Sequence, residues 1–248
     1  MTSQPPQLIA GPSTRSPSAE QSARLTVSVT AEDPNLEEKN DFWSYDGGQR
    51  AVKDGTSRRE NELTSAERET LLRHLEESRE RLLRMANNLS REELHYRPAE
   101  DRWTVAECLE HIAMVEARVL GLIQKTLEAG PDASKRSALD GKDDDLIAGT
   151  VARVARFKAP EYVVPAGRCP DDQLLKEFEG ARQQTHAFAA STNADLRSHF
   201  YKHPAFGDLD LYQWLLLIAA HCDRHRVQSE EVMASPGFPR ARQTNASA

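Results

Sequence analysis

Residues 211–228 are the most apolar stretch of the chain, and two histidines border its apolar side. Leu211, Trp214, Leu215, Ile218 and Cys222 recur at helical period, so the segment reads as a helix with that face in a core. His221 and His225, four residues apart, share one helix face, roughly 5–6 Å apart at Cβ. Two imidazoles at a core margin need partners. A divalent metal can serve both at once, and hydrogen bonds to side chains or water are the alternative. With eight histidines in the chain, a pair at this spacing also arises by chance. A third ligand is needed to separate the two readings.

His111 is that candidate. It lies in Trp103–Glu116, where Thr104 followed by Glu107 reads as a capping box that starts a helix. Val105, Cys108, Ile112, Val115, Val119 and Leu122 form its apolar stripe, and His111 stands at the edge of that stripe. Two imidazoles from one helix and one from another match a catalytic metal site that keeps a position open for water or substrate.

The segment Trp103 to His111 resembles the W-S/T-x-x-E-x-x-x-H signature of the DinB-like superfamily. His221, His225 and Gln228 resemble its C-terminal H-x-x-x-H-x-x-Q signature, and Pro236–Pro239 is similar to the tail that often follows. The resemblance runs from about Thr64 to Pro239. It implies an all-α fold, a four-helix bundle of up-down-down-up type. It also implies a divalent metal ion (Zn, Ni, Mn or Fe) held by three histidines, here His111, His221 and His225. Members of the family include thiol-dependent S-transferases and proteins described as metal-dependent hydrolases, so fold and metal site transfer better than reaction does.

The rest of the pattern agrees with four long helices. They are expected over about Ser65–Asn88, Thr104–Ala129, Asp171–Ala190 and Leu211–Met233, with a short helical turn at Ser90–Leu94. Thr64 with Glu67 is a second capping box, and Gly130-Pro131 should stop the second helix. Helices of this length with one long connection fit a bundle better than a solenoid.

A hydrophobic content of 38% and a mean hydropathy of −0.66 point to a polar segment diluting the average. That segment is 1–60, rich in Pro, Ser and Thr, with Leu25–Val29 as its one strand-like run. It is expected to be a disordered tail, followed by the bundle at 61–240 and a flexible C-terminus at 241–248. No signal peptide is expected, and the apolar run Trp214–Ala220 is too short to span a membrane, so the cytoplasm is the expected compartment. A net charge of −7 without a basic stripe argues against a nucleic-acid partner.

Other candidates carry competing readings. The connection Pro131–Pro170 is long enough to cap a site, with Arg153, Arg156 or Tyr162 touching substrate; otherwise it is a solvated crossover. His203, in His203-Pro204-Ala-Phe-Gly207, is the candidate catalytic residue, a general acid/base or a group supporting the ligands at the metal mouth. The alternative is a loop histidine that fixes its turn. Cys108, Cys169 and Cys222 show no CxxC pattern. A metal-ligand or redox role is weighed against the preferred reading, small buried hydrophobes.

The chemistry expected is attack by a small nucleophile, a metal-stabilised thiolate or an acidified water. The partners expected are a small-molecule substrate, with a low-molecular-weight thiol among the candidates, and a homodimer remains open. The competing hypotheses are a non-catalytic metal- or ligand-binding helical bundle and a structural bundle with incidental histidines.

Overall fold

A computed structural model describes residues 62–138, 141–153 and 158–240. The 1–60 tail with its Leu25–Val29 run, Trp43, Arg156 and the 241–248 terminus lie outside these residues. The elements in order are α1 (Ser65–Ala86), α2 (Arg91–His95), α3 (Val105–Thr126), a 3-10 helix at Ala133–Ala138, α4 (Asp143–Val151), a second 3-10 helix at Glu161–Val163, α5 (Asp171–Ser191), strands β1 (Phe200–His203) and β2 (Gly207–Asp210), and α6 (Leu211–Met233).

Local chemistry explains the helix starts. Thr64, Ser90, Thr104 and Asp210 each accept the N3 backbone N–H, while the N3 Glu or Gln side chain reaches back to the cap. Each reciprocal cap is worth about 1 kcal/mol and fixes where its helix begins. The α5 helix starts without a side-chain cap and instead places Asp171 and Asp172 in its first turn, where the helix dipole favours negative charge. α3 ends at Thr126 rather than Ala129. The N–H groups of Glu128 and Ala129 turn to the carbonyls three residues back, a tightened end rather than a continued α-helix.

Cross-helix contacts fix the topology. Arg79 pairs with Glu179 while Arg68 reaches the carbonyls of Ala189 and Thr192, so α1 and α5 are antiparallel. Tyr212 donates to the Glu67 carbonyl and Arg81 pairs with Asp223, so α1 and α6 run parallel. Glu110 binds the backbone just before α5 and Glu116 binds Arg182, so α3 and α5 run parallel. Arg102 pairs with Glu231 and His111 meets His221, so α3 and α6 are antiparallel. In chain order the four long helices therefore run up, down, down, up.

Two apolar layers fill the bundle. One gathers Leu71, Leu75, Ile123, Leu211, Leu215 and Ile218. The other gathers Leu82, Leu109, Ile112, Phe178, Cys222 and Val232. Between them lies an ion pair, Glu116 with Arg182 at 2.7 Å, whose side chains are each 2% exposed. Arg182 also donates to the Leu75 carbonyl and the Ser78 hydroxyl. At the end where α6 begins, Arg197 binds Glu67, Asp143 and Asp210, joining the starts of α1, α4 and α6.

The long connection is more structured than its sequence suggests. The acidic run Asp143–Asp145 is the first turn of α4, which packs on α6. The segment before α6 folds into a hairpin, with Phe200 opposite Asp210 and His203 opposite Gly207, whose φ is +74°. The tail residue Phe238 packs edge-on against Tyr96 at 5.5 Å. No helix among the described residues is long and apolar enough to cross a membrane.

Candidate metal centre

The antiparallel packing of α3 on α6 brings His111 opposite His221 and His225. One ligand nitrogen from each of the three lies within 4.8 Å of the others. His111 and His225 are buried, and His221 is the partly exposed member. The Nε2 atoms of His221 and His225 face each other at 3.1 Å. Two nitrogens held by one ion at about 2.0–2.1 Å lie roughly 2.8–3.4 Å apart, from right-angled to tetrahedral geometry. The donor set therefore fits a divalent cation of the kind that imidazole nitrogens bind.

Each buried imidazole is tied at its outer nitrogen. His111 Nδ1 donates to the Val163 carbonyl at 2.7 Å, a contact from the second 3-10 helix. His225 Nδ1 donates to Gln228 Oε1 at 3.1 Å. Both bonds place the proton on Nδ1 and leave the Nε2 lone pair for a ligand bond. Trp103, half-buried, lies against His111 and His225, with ring centroids 4.8 and 5.8 Å away.

The electrostatics keep these rings neutral. Burial is the largest influence on all three and lowers the pKa of each; His221 and His225 fall well below the usual imidazole value. Neighbouring imidazoles and Arg224 push His221 and His225 further down, and Arg153 adds to this at His225. Neutral imidazole is the form that binds metal, so protons do not compete for the site near neutral pH.

Arg153, read from the sequence as a candidate substrate contact, turns inward to α6. Its Nη1 donates to Gln228 Oε1 at 2.8 Å, and its Nη2 lies 3.2 Å from Glu231. It is the one non-glycine residue with positive φ (52°) among the described residues. That conformation costs about 1–2 kcal/mol for a side chain with a Cβ. Tyr162 is 52% exposed, with the Arg118 guanidinium 5.0 Å over its ring. No sequence signal marks Val163, because a backbone carbonyl acts without regard to its side chain.

His203 stands beside the ligand group rather than in it. Its Nδ1 accepts the N–H groups of Ala205 and Phe206 at 3.1 and 3.2 Å, the turn-fixing arrangement. Its ring packs on Phe206 and on Trp214, two turns before His221. Burial pushes its pKa down to about 4, so it is neutral at pH 7, with Nε2–H left as a donor.

Cys108 and Cys222 are buried, and burial raises both thiols to about 12. Neither belongs to the ligand cluster, and at neutral pH both behave as small apolar groups.

The chain shows similarity to known proteins. It is 25% identical over 146 residues to the "Uncharacterized protein YuaE" of Bacillus subtilis (strain 168), an alignment covering 58% of this chain and 85% of that protein. No solved structure matches. The DinB superfamily model matches residues 74–229, which span all three histidines and more than half of the chain. On that match, the chain belongs to the DinB superfamily.

Proposed function

We propose that this protein is a divalent-metal-dependent enzyme, a thiol-dependent S-transferase or a related hydrolase. The observation behind this reading is the convergence of three neutral imidazoles, two of which, His111 and His225, already have their outer nitrogens engaged. Three protein ligands are the number that leaves a coordination position for a reactant. When bound, the ion supplies Lewis acidity that lowers the pKa of a small thiol or a water at that position.

The chain's own groups do the rest. His111, His221 and His225 hold the ion from two antiparallel helices, and Val163 and Gln228 fix the orientation of two of them. Trp103 forms an apolar wall against two of the rings. His203, with Nδ1 occupied by its own turn, offers its Nε2–H to a substrate oxygen or leaving group. Burial raises the pKa of all three thiols, Cys108, Cys169 and Cys222, so none of them is an activated nucleophile.

The test is turnover of thiol–electrophile pairs and of simple esters by untagged protein. Activity is expected to vanish on chelation and return with Zn²⁺, Ni²⁺, Mn²⁺ or Fe²⁺. Activity that persists in fully metal-free protein would overturn the mechanism. Stoichiometric metal without turnover of any pair would favour a metal- or ligand-binding bundle instead.

A further inference from the structure

His111 and His225 are oriented by acceptors of different kinds. The Val163 carbonyl that receives His111 Nδ1–H can only accept, so the tautomer of His111 has one solution. His225 faces a side-chain amide, and an amide has two ends. With Gln228 Oε1 toward the ring, His225 carries its proton on Nδ1 and presents a bare Nε2. With the amide turned over, its NH₂ would donate to Nδ1. The proton would then sit on Nε2, the atom 3.1 Å from His221 Nε2, and His225 could not ligate through it.

Arg153 removes that ambiguity. Its guanidinium carries donors only and no acceptor. Nη1 donates to the same Oε1 at 2.8 Å. A turned amide would set NH₂ against the guanidinium N–H and lose the Arg153 bond, whichever tautomer His225 adopts. The arginine is itself held in place: Nη2 meets Glu231, and Nη1 also approaches the Arg224 carbonyl at 3.4 Å. Its left-handed backbone, rare outside glycine, is the conformation in which the chain leaving α4 delivers this contact.

We infer that Arg153 and Gln228 form a donor–acceptor relay that sets the tautomer of His225 and so prepares its Nε2 for metal. Arg153 is a positioning residue, acting through Gln228 on a ligand it does not touch. The inference rests on the metal site proposed above, but the tautomer it predicts is a property of the metal-free protein.

The experiment uses the full chain and four proteins: wild type, Arg153→Met, Gln228→Glu, and the double variant. A carboxylate has no donor end, so Gln228→Glu fixes the His225 tautomer without help from Arg153. Two quantities are read. One is the His225 tautomer in metal-free protein, by ¹⁵N NMR of the ring nitrogens. The other is Zn²⁺ affinity by chelator competition.

Wild type is expected to show Nδ1–H at His225. Arg153→Met is expected to show a mixture of tautomers and Zn²⁺ binding weaker by about tenfold or more, the usual effect of losing such a supporting contact. The double variant is expected to recover the single tautomer and to bind within about threefold of Gln228→Glu. Packing lost at Arg153 would not be restored by changing Gln228. A double variant no better than Arg153→Met, or an unchanged Nδ1–H tautomer in Arg153→Met, would overturn the relay. Absence of Zn²⁺ binding in wild type would refute the metal reading, and the tautomer measurement would still decide the relay.

Discussion

Glu116→Ala removes one half of the buried ion pair at the centre of the bundle. Both side chains are 2% exposed, so the Arg182 guanidinium would be left charged, without its counter-ion and without water. Burial alone would lower the pKa of Arg182, yet the nearby Glu116 carboxylate holds it above the usual value. Breaking such a pair costs about 3–5 kcal/mol. A domain has about 5–15 kcal/mol of stability in all, so the variant should lose a large share of it. At roughly 2–4 °C per kcal/mol for a chain of this size, the melting temperature should fall by about 6–20 °C. Removing both charges is a different perturbation. Glu116→Leu with Arg182→Met leaves no orphan charge, and the Ser78 hydroxyl keeps its bond to the Leu75 carbonyl. That double variant should lie near wild type or above it. Urea and thermal unfolding followed by circular dichroism would measure both. A Glu116→Ala protein within about 1 kcal/mol of wild type would refute the claim that the pair is sealed from water.

Three further outcomes follow from the same structure. Metal-free protein should lose stability as pH falls below about 6.5, the usual imidazole value. The folded pKa values of His111, His203, His221 and His225 are all lowered, so the unfolded chain takes up more protons in that window. His203→Asn keeps an acceptor for the turn and removes one titrating ring; it should flatten the decline between pH 6.5 and about 4 in urea midpoints, and an unchanged slope would contradict its burial. Trp103 should report metal loading, because it lies against two of the ligand rings while Trp214 is 6% exposed and bonded to the Tyr201 carbonyl. In single-tryptophan variants, Ni²⁺ should quench Trp103 strongly, and equal quenching of both would count against the packing. Deleting residues 1–60 should leave the melting temperature within a few degrees, since that segment carries little apolar periodicity; a large fall would show that it packs on the bundle.

What was legible in the sequence had local causes. The capping boxes at Thr64 and Thr104 and the apolar stripe from Leu211 placed helix starts closely, because each depends on residues three or four apart. The His221–His225 pair is legible for the same reason, and His111, far away in the chain, is joined to it by the flanking signatures. Groups that act across the fold were not. Glu116 and Arg182 are 66 residues apart and look like ordinary surface charges until α3 and α5 run parallel. Val163 contributes only a carbonyl to His111. The bond from Arg153 to Gln228 is not legible because nothing local shows that the chain after α4 returns it to α6. The hairpin at β1 and β2 is not legible because each strand is only four residues long.

The most direct test of the account is metal content. Untagged protein, purified without chelator and analysed by inductively coupled plasma mass spectrometry, should carry about one divalent ion per chain, as a single three-ligand site requires. His111→Ala, His221→Ala and His225→Ala should each lose most of it while retaining helical circular dichroism. Metal stoichiometry that survives any two of these changes would contradict the three-histidine centre.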